Sequence, residues 1–408
     1  MATFLIGNHS DRSSPLICSI KQAKLDADTI PDYEAISYTW GQPVFSHQLF
    51  CDDGSIFPIT QNLESALARF RLSDRSRYLW ADLVSINQSD LAEKSSQIAL
   101  MARIYQNAAR VLVWLGNDEG TGSIAMALLG RLSRINSISW GYTDGQYKEE
   151  VITNAVSKAG SPNSQDLELV WTFIGLPWFS RRWIIQEVTL NPDIILHCGS
   201  AELSWIRFVL ALEVSARGLD DSIPRPAAFG SVVKMIQLWR NWSLLDGTQE
   251  GCGLLELLDA FHHFDCSDQR DRLFALAGLA TDVRAGPYDT TAKHFSNAEK
   301  RKERTSKTMT INADYSLSVN EVYCMFALER LTSSKGGLVA TVTDASERRV
   351  LYSQEHILPS WVPDLRSRNR RHAERASRET EYGFDCLPFD LQCHNGTTLT
   401  FGVDIRAT

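Results

Sequence analysis

What the 408-residue sequence lacks narrows its class first. No apolar run reaches about 18 residues, the length a membrane-spanning helix needs. The opening segment MATFLIGNHSDRSSPLICSI has neither a basic stretch nor an apolar run of signal-peptide length, so a cytoplasmic protein without membrane association is expected. The eight cysteines are scattered without a CxxC pair, which argues against a disulfide framework and for reduced thiols. Cys252, His262, His263 and Cys266 come nearest to a zinc grouping, but they lie on and just after an apolar helical stretch, where a core role suffices. No metal is expected.

Positive charge is not in surplus either. The net charge is −8, which gives no overall attraction to nucleic acid or anionic lipid. No internal repeat is present, and no phosphate-loop fingerprint. The segment GNDEGTG (116–122) has the wrong spacing, and Asp118 and Glu119 repel phosphate, so it reads as a plain loop. With 44% hydrophobic and 22% charged residues, the composition is that of a folded globular chain long enough for two parts.

The pattern that is present alternates strands with helices. Residues 33–40 (YEAISYTW) set Ile36, Tyr38 and Trp40 against Ala35, Ser37 and Thr39, a period of two ending at Gly41. A hairpin-like stretch follows at 42–58. Thr60 then caps a helix whose Leu63, Ala66, Leu67 and Phe70 share one face. Residues 78–86 (YLWADLVSI) read as a strand buried on both faces, interrupted by Asp82. Asp90 and Glu93 form a capping-box pattern ahead of a helix that buries Ile98, Met101, Ala102, Tyr105 and Ala109. Residues 110–115 (RVLVWL) are a third strand.

An insertion at 117–165, rich in Gly, Ser and Asn and partly helical, interrupts this rhythm. It resumes with a helix at 167–174, a second helix capped by Ser180 and running to about Val188, and a strand at 193–198 (DIILHC). This order predicts an α/β fold with a parallel sheet flanked by helices. Beyond it the pattern is mainly helical, at 205–216, 231–245, 254–264, 270–280 and 319–331. The stretch 284–309, with KRKERTSK, reads as an exposed basic loop rather than a nuclear-localisation signal. The domain reading is an N-terminal segment 1–31, an α/β domain 32–199 and a helical region 200–408.

In doubly wound sheets the ligand lies at the carboxyl ends of the strands. The segments there are 37–42, 82–90 and 116–122. The densest chemistry lies in WFSRRWIIQE (178–187). Trp183 and Glu187 are four apart on one helix face, so an indole would stand beside a carboxylate and raise its pKa by partial burial. Arg181 and Arg182 precede them and suit an anion. These residues leave a second reading open, in which Glu187 pairs with an arginine and both tryptophans belong to the core.

Three ordered blocks resemble the heterokaryon-incompatibility (HET) domain of fungal proteins: YEAISYTWG (33–41), LWADLVSINQSDLAEKSSQIALMARIYQNAARVLVWLG (79–116) and WFSRRWIIQE. Lesser pieces continue at 266–280, 311–323 and 358–364. One departure is Ser85, standing where the family pattern D-x-x-C-I-N-Q has cysteine. HET domains in turn look distantly like Toll/interleukin-receptor (TIR) domains, which implies a TIR-like, flavodoxin-like sheet.

The resemblance further implies nonself recognition and programmed cell death in a fungus. It implies NAD as a substrate rather than a cofactor, with Glu187 as the catalytic carboxylate. Ser37, Trp40, Gly41, Asp82 and Trp183 then shape the pocket, and Arg182 lies near the phosphates. Self-association and an incompatibility partner protein are implied as well. The alternative is a non-enzymatic module that triggers death through its partners.

Overall fold

The computed structural model describes residues 2–7, 15–25, 31–118, 120–139, 164–217, 227–244, 251–285, 309–333, 358–359 and 361–366. Residues Met1–Asn369 form one compact unit. Its centre is a nine-stranded mixed sheet. The strands, in chain order, are β1 (Ala2–Gly7), β2 (Ile17–Ala23), β3 (Glu34–Tyr38), β4 (His47–Cys51), β5 (Ile56–Ile59), β6 (Arg77–Trp80), β7 (Arg110–Trp114), β8 (Ile194–Cys198) and β9 (Ala201–Ser204). They run in the order β5-β4-β2-β1-β6-β3-β7-β8-β9.

The four strands β6, β3, β7 and β8 are mutually parallel, as the alternation with helices predicts. The sheet is wider than that alternation implies. The first residues, read as a separate segment, contribute β1 and β2, and β1 pairs antiparallel with β6 while β2 pairs parallel with β4. The hairpin expected at 42–58 is β4–β5, turned at Gly54, whose φ of 84° favours glycine. At the other edge β9 pairs antiparallel with β8.

Helices cover the sheet. α1 (Gln61–Phe70) starts at Thr60, whose side chain accepts from the Leu63 N–H, and buries Leu63, Ala66, Leu67 and Phe70 as its spacing predicts. These residues pack with Ile36, Tyr38, Leu79, Leu112 and Trp114 on one face of the sheet. Each buried Leu or Phe there contributes about 1.5–3 kcal/mol. Alternation sends Ala35 and Ser37 to the other face.

The strand expected over 78–86 ends at Trp80, because Asp82 starts the one-turn helix α2 (Asp82–Ser85) and its carboxylate accepts from the Leu83 N–H. α3 (Leu91–Asn107) begins at Asp90, which accepts from Ala92 and Glu93. Glu93 accepts from the Asn87 N–H, completing the turn that leads into the helix. The Tyr105 hydroxyl donates to the Ile36 carbonyl and thereby pins α3 to β3.

After β7, α4 (Gly122–Ser139) is started by Asp118, which accepts from the N–H groups of Gly120, Gly122 and Ser123. Asp118, in the segment read as a plain loop, is thus a helix cap. The rest of the expected insertion, 140–163, lies outside the described residues. α5 (Ser164–Ile174) follows, then a 3₁₀ turn at Pro177–Ser180 and the short α6 (Ile184–Thr189).

Ser180 does not cap that helix. Its hydroxyl turns back to the Pro177 carbonyl, and the chain at Arg181 is extended and bridges to Asp265, which postpones the helix to Ile184. The remaining helices among the described residues are α7 (Trp205–Arg217), α8 (Ala227–Trp239), continued by a π-helical turn at Arg240–Leu244, α9 (Leu254–Ala260), α10 (Asp271–Ala277) and α11 (Val319–Ser333), so the C-terminal part is mainly helical as expected. A parallel pair, β10 (Val283–Ala285) and β11 (Met309–Ile311), flanks the expected basic loop, of which 286–308 lies outside the described residues. Among the described residues no helix is long and apolar enough to cross a membrane.

Candidate functional site

All six residues of α6 are buried. A six-residue helix buries every side only when others enclose it, and α6 packs against α3, α8 and α10. Glu187 is therefore 1% exposed, inside the molecule next to the carboxyl end of β3.

The Glu187 carboxylate is held by specific partners. Ser37 Oγ donates to Glu187 Oε2, and Trp178 Nε1 donates to Ser37 Oγ at 2.8 Å. Arg181 Nη1 lies 3.6 Å from Glu187 Oε2. Burial pushes the Glu187 carboxyl up to about 7, against the opposing pull of Arg181 and the Ser37 donor; Asp82 adds to the rise. A carboxyl poised there is half ionised near neutral pH, the condition for changing protonation state during a reaction.

Asp82 lies where β6 ends and accepts from Trp40 Nε1 at 3.0 Å. Its carboxyl is also raised by burial, with Arg181 and the Trp40 donor opposing. Arg181 is the cation shared by the two. Burial alone would lower its pKa, but Glu187 and Asp82 outweigh burial and keep it charged. Tyr38 and Tyr105 flank the group, and burial raises both phenols. Two carboxylates, one guanidinium and two phenols thus meet where β3 and β6 end.

Of the residues singled out from sequence, Glu187, Ser37, Asp82 and Trp40 come together here. Gly41 closes β3 in an exposed turn with φ of 72°. Two others turn elsewhere. The Trp183 indole donates to Asp271 Oδ2 at 3.1 Å, so the indole joined to the Glu187 group is that of Trp178. Arg182 is 1% exposed, and its guanidinium donates to the Arg272 carbonyl at 2.9 and 2.6 Å and to the Phe261 carbonyl at 2.7 Å. The arginine at Glu187 is Arg181.

Sequence reasoning did not single out Trp178, Tyr38 and Tyr105 as site residues, and it named Arg181 only together with Arg182, as a pair suited to an anion. Arg181 is separated from Arg182 by its extended backbone and its bridge to Asp265, for which the local sequence carries no signal. A second polar group surrounds Asp271, which accepts from Trp183 and from the Tyr315 hydroxyl and is pushed by burial to about 6. Among the described residues no group of three or more His, Cys, Asp or Glu is arranged to hold a metal ion.

Residues 33–187 match the family model described as heterokaryon incompatibility protein (HET). That span contains Ser37, Asp82, Arg181 and Glu187, and it ends on Glu187. The chain is also 25% identical over 421 aligned positions to "Heterokaryon incompatibility protein 6, OR allele" of Neurospora crassa. The alignment takes in 90% of this chain and 57% of the relative, so the chain spans little more than half of that protein's length. No solved structure matches.

Proposed function

Taking the chain as a fungal HET-domain protein with its domain at residues 33–187, we propose that it acts in nonself recognition and programmed cell death by cleaving the nicotinamide–ribose bond of NAD. One observation carries this reading. A carboxylate raised to about 7 is gathered with a serine, an arginine and a second carboxylate at the carboxyl ends of parallel strands. Numbered within the parallel set, the strand order is 2-1-3-4, in keeping with the flavodoxin-like arrangement that TIR domains share, whose ligands bind at strand ends.

The chemistry needs one ionised carboxylate. As the C1′–N bond breaks, nicotinamide leaves as a neutral base and positive charge develops at C1′. Glu187 stabilises or captures that centre, and water completes the hydrolysis. Ser37 and Arg181 favour its ionised form. Trp40, Asp82 and the turn at Gly41 line the approach. The test is to follow nicotinamide release chromatographically from NAD with the full chain. Release from the wild type and none from a folded Glu187→Gln supports the reading; equal release from both removes Glu187 from the mechanism.

A second reading has its own support. Val44 and Phe45, next to Gly41, are 61% and 47% exposed. Ile17, Phe50 and Ile56 are register partners across β2, β4 and β5 and are exposed as well. An apolar surface of this kind suits self-association. In that version the domain kills through assembly in the cytoplasm and partner binding. Death on overexpression would then survive Glu187→Ala and be lost in Phe45→Glu.

A further inference from the structure

Arg181 differs from every other charged group around Glu187 in how it is held. Its backbone is fixed, since its N–H donates to the Trp178 carbonyl and the residue bridges to Asp265. Its side chain is not fixed in the same way. The contact with Glu187 is an ion pair at 3.6 Å, and Nη1 makes no hydrogen bond although it is buried. A guanidinium normally binds a carboxylate by two parallel hydrogen bonds at about 2.7–2.9 Å. The Arg77–Glu34 pair of this protein makes such a fork, with Nε and Nη2 donating to the two carboxylate oxygens.

Position adds to this. The Arg181 side chain is 21% exposed and that of Glu187 2%, so Arg181 occupies the solvent side of the pair. Asp82 and Glu187 both act on it electrostatically, while Asp82 and Glu187 each keep another donor, Trp40 and Ser37. When the guanidinium turns away, Asp82 keeps the Trp40 donor and Glu187 the Ser37 donor, while both lose the positive charge that favours their ionised forms. Arg182 is unsuited to such movement, because two backbone carbonyls engage its guanidinium in the core.

We propose that Arg181 is the specificity-determining residue of the Glu187 site. It closes the site over Glu187 and Asp82 when no ligand is present, and it turns to the phosphate groups of a nucleotide ligand when one enters. Opening the site and binding the anion are then a single movement, which uncovers Glu187 only for ligands that carry phosphate. This inference rests on the NAD reading above and adds to it the group that selects the substrate.

The experiment compares NAD with nicotinamide riboside, which has the same scissile bond and no phosphate, on the full-length wild type, Arg181→Gln and Arg181→Lys. The proposal expects Arg181→Gln to raise KM for NAD about tenfold or more, the loss of one charge-assisted contact. Because Arg181 also favours the ionised form of Glu187, turnover of both substrates falls, but the riboside loses less than NAD, so the NAD-to-riboside preference shifts toward the riboside. Arg181→Lys, which keeps the charge without the fork, shifts the preference in the same direction by less, and it decides the question if Arg181→Gln does not fold.

A purely structural role for Arg181 lowers turnover of both substrates alike, and that result overturns the proposal. So does an unchanged NAD-to-riboside preference in the folded variants. If the wild type releases nicotinamide from neither substrate, the NAD reading falls and this inference with it. A wild type active on NAD whose variants keep its preference removes the inference alone.

Discussion

Ser37 and Glu187 stand 150 positions apart in the chain and share a hydrogen bond, with the serine as donor and the buried carboxylate as acceptor. The bond exists because β3 ends at Tyr38 and α6 is pressed against that strand end by helices from both parts of the molecule. Trp178 completes a line of donors, from indole to hydroxyl to carboxylate.

Ser37→Ala interrupts that line at its centre. It removes a hydrogen bond to a charged acceptor and leaves the Trp178 N–H without its partner. The expected loss of stability is about 1–3 kcal/mol, and the Glu187 carboxyl rises further. Urea denaturation at neutral pH measures the first effect. A variant as stable as the wild type would show that the bond contributes nothing net.

Stability should also carry the signature of Glu187. Its pKa is raised from 4.5 to about 7 by folding. Between those values the folded state keeps a proton that the unfolded state has released. Stability from this group therefore falls as pH rises through the window, by at most about 3 kcal/mol. Arg181, Ser37, Asp82 and Tyr105 all face the carboxyl and are common to both proteins compared. The difference in unfolding free energy between wild type and Glu187→Gln should decline from pH 4.5 to about 7 and level off above it. Asp271, pushed to about 6, adds a change of the same sign, and His197, lowered by burial to about 3, adds the opposite one. Both cancel in the comparison, so a difference that does not vary with pH would refute the shift.

Arg182 makes a different prediction. Three of its donors satisfy two carbonyls on the segment 261–272, joining WFSRRWIIQE to α10. Arg182→Met removes three buried charge-assisted hydrogen bonds, the Phe261 carbonyl keeping only the Phe264 N–H, and should cost about 3–5 kcal/mol. The damage should centre on residues 251–285. Hydrogen exchange would locate it: faster exchange confined to 178–187, with 251–285 unaffected, would mean that Arg182 does not join the two.

A good part of this protein is written in local sequence. The period of two in EAISY, the Leu63–Phe70 face, the caps at Thr60 and Asp90 and the run RVLVW were each legible, because they depend on neighbours within one turn or one strand. Ser37, Trp40 and Asp82 were also legible as lying at strand ends, where doubly wound sheets collect ligands, and the resemblance to TIR domains is what joined Glu187 to them.

Other features depended on distant partners. Whether β1 and β2 join the sheet is decided by the free edge of β6, which no N-terminal residue announces. Which of two adjacent arginines meets Glu187 is decided by an extended bridge to Asp265, more than 80 positions on, that turns Arg181 inward and sends Arg182 to the carbonyls of 261 and 272. The Trp183 indole is likewise claimed by Asp271. The sequence by itself determined which groups are present and which strand ends they lie near, for these follow from short-range periodicity. Tertiary structure alone decided how they are paired, because a buried charge takes whatever partner the packing of other elements brings within reach.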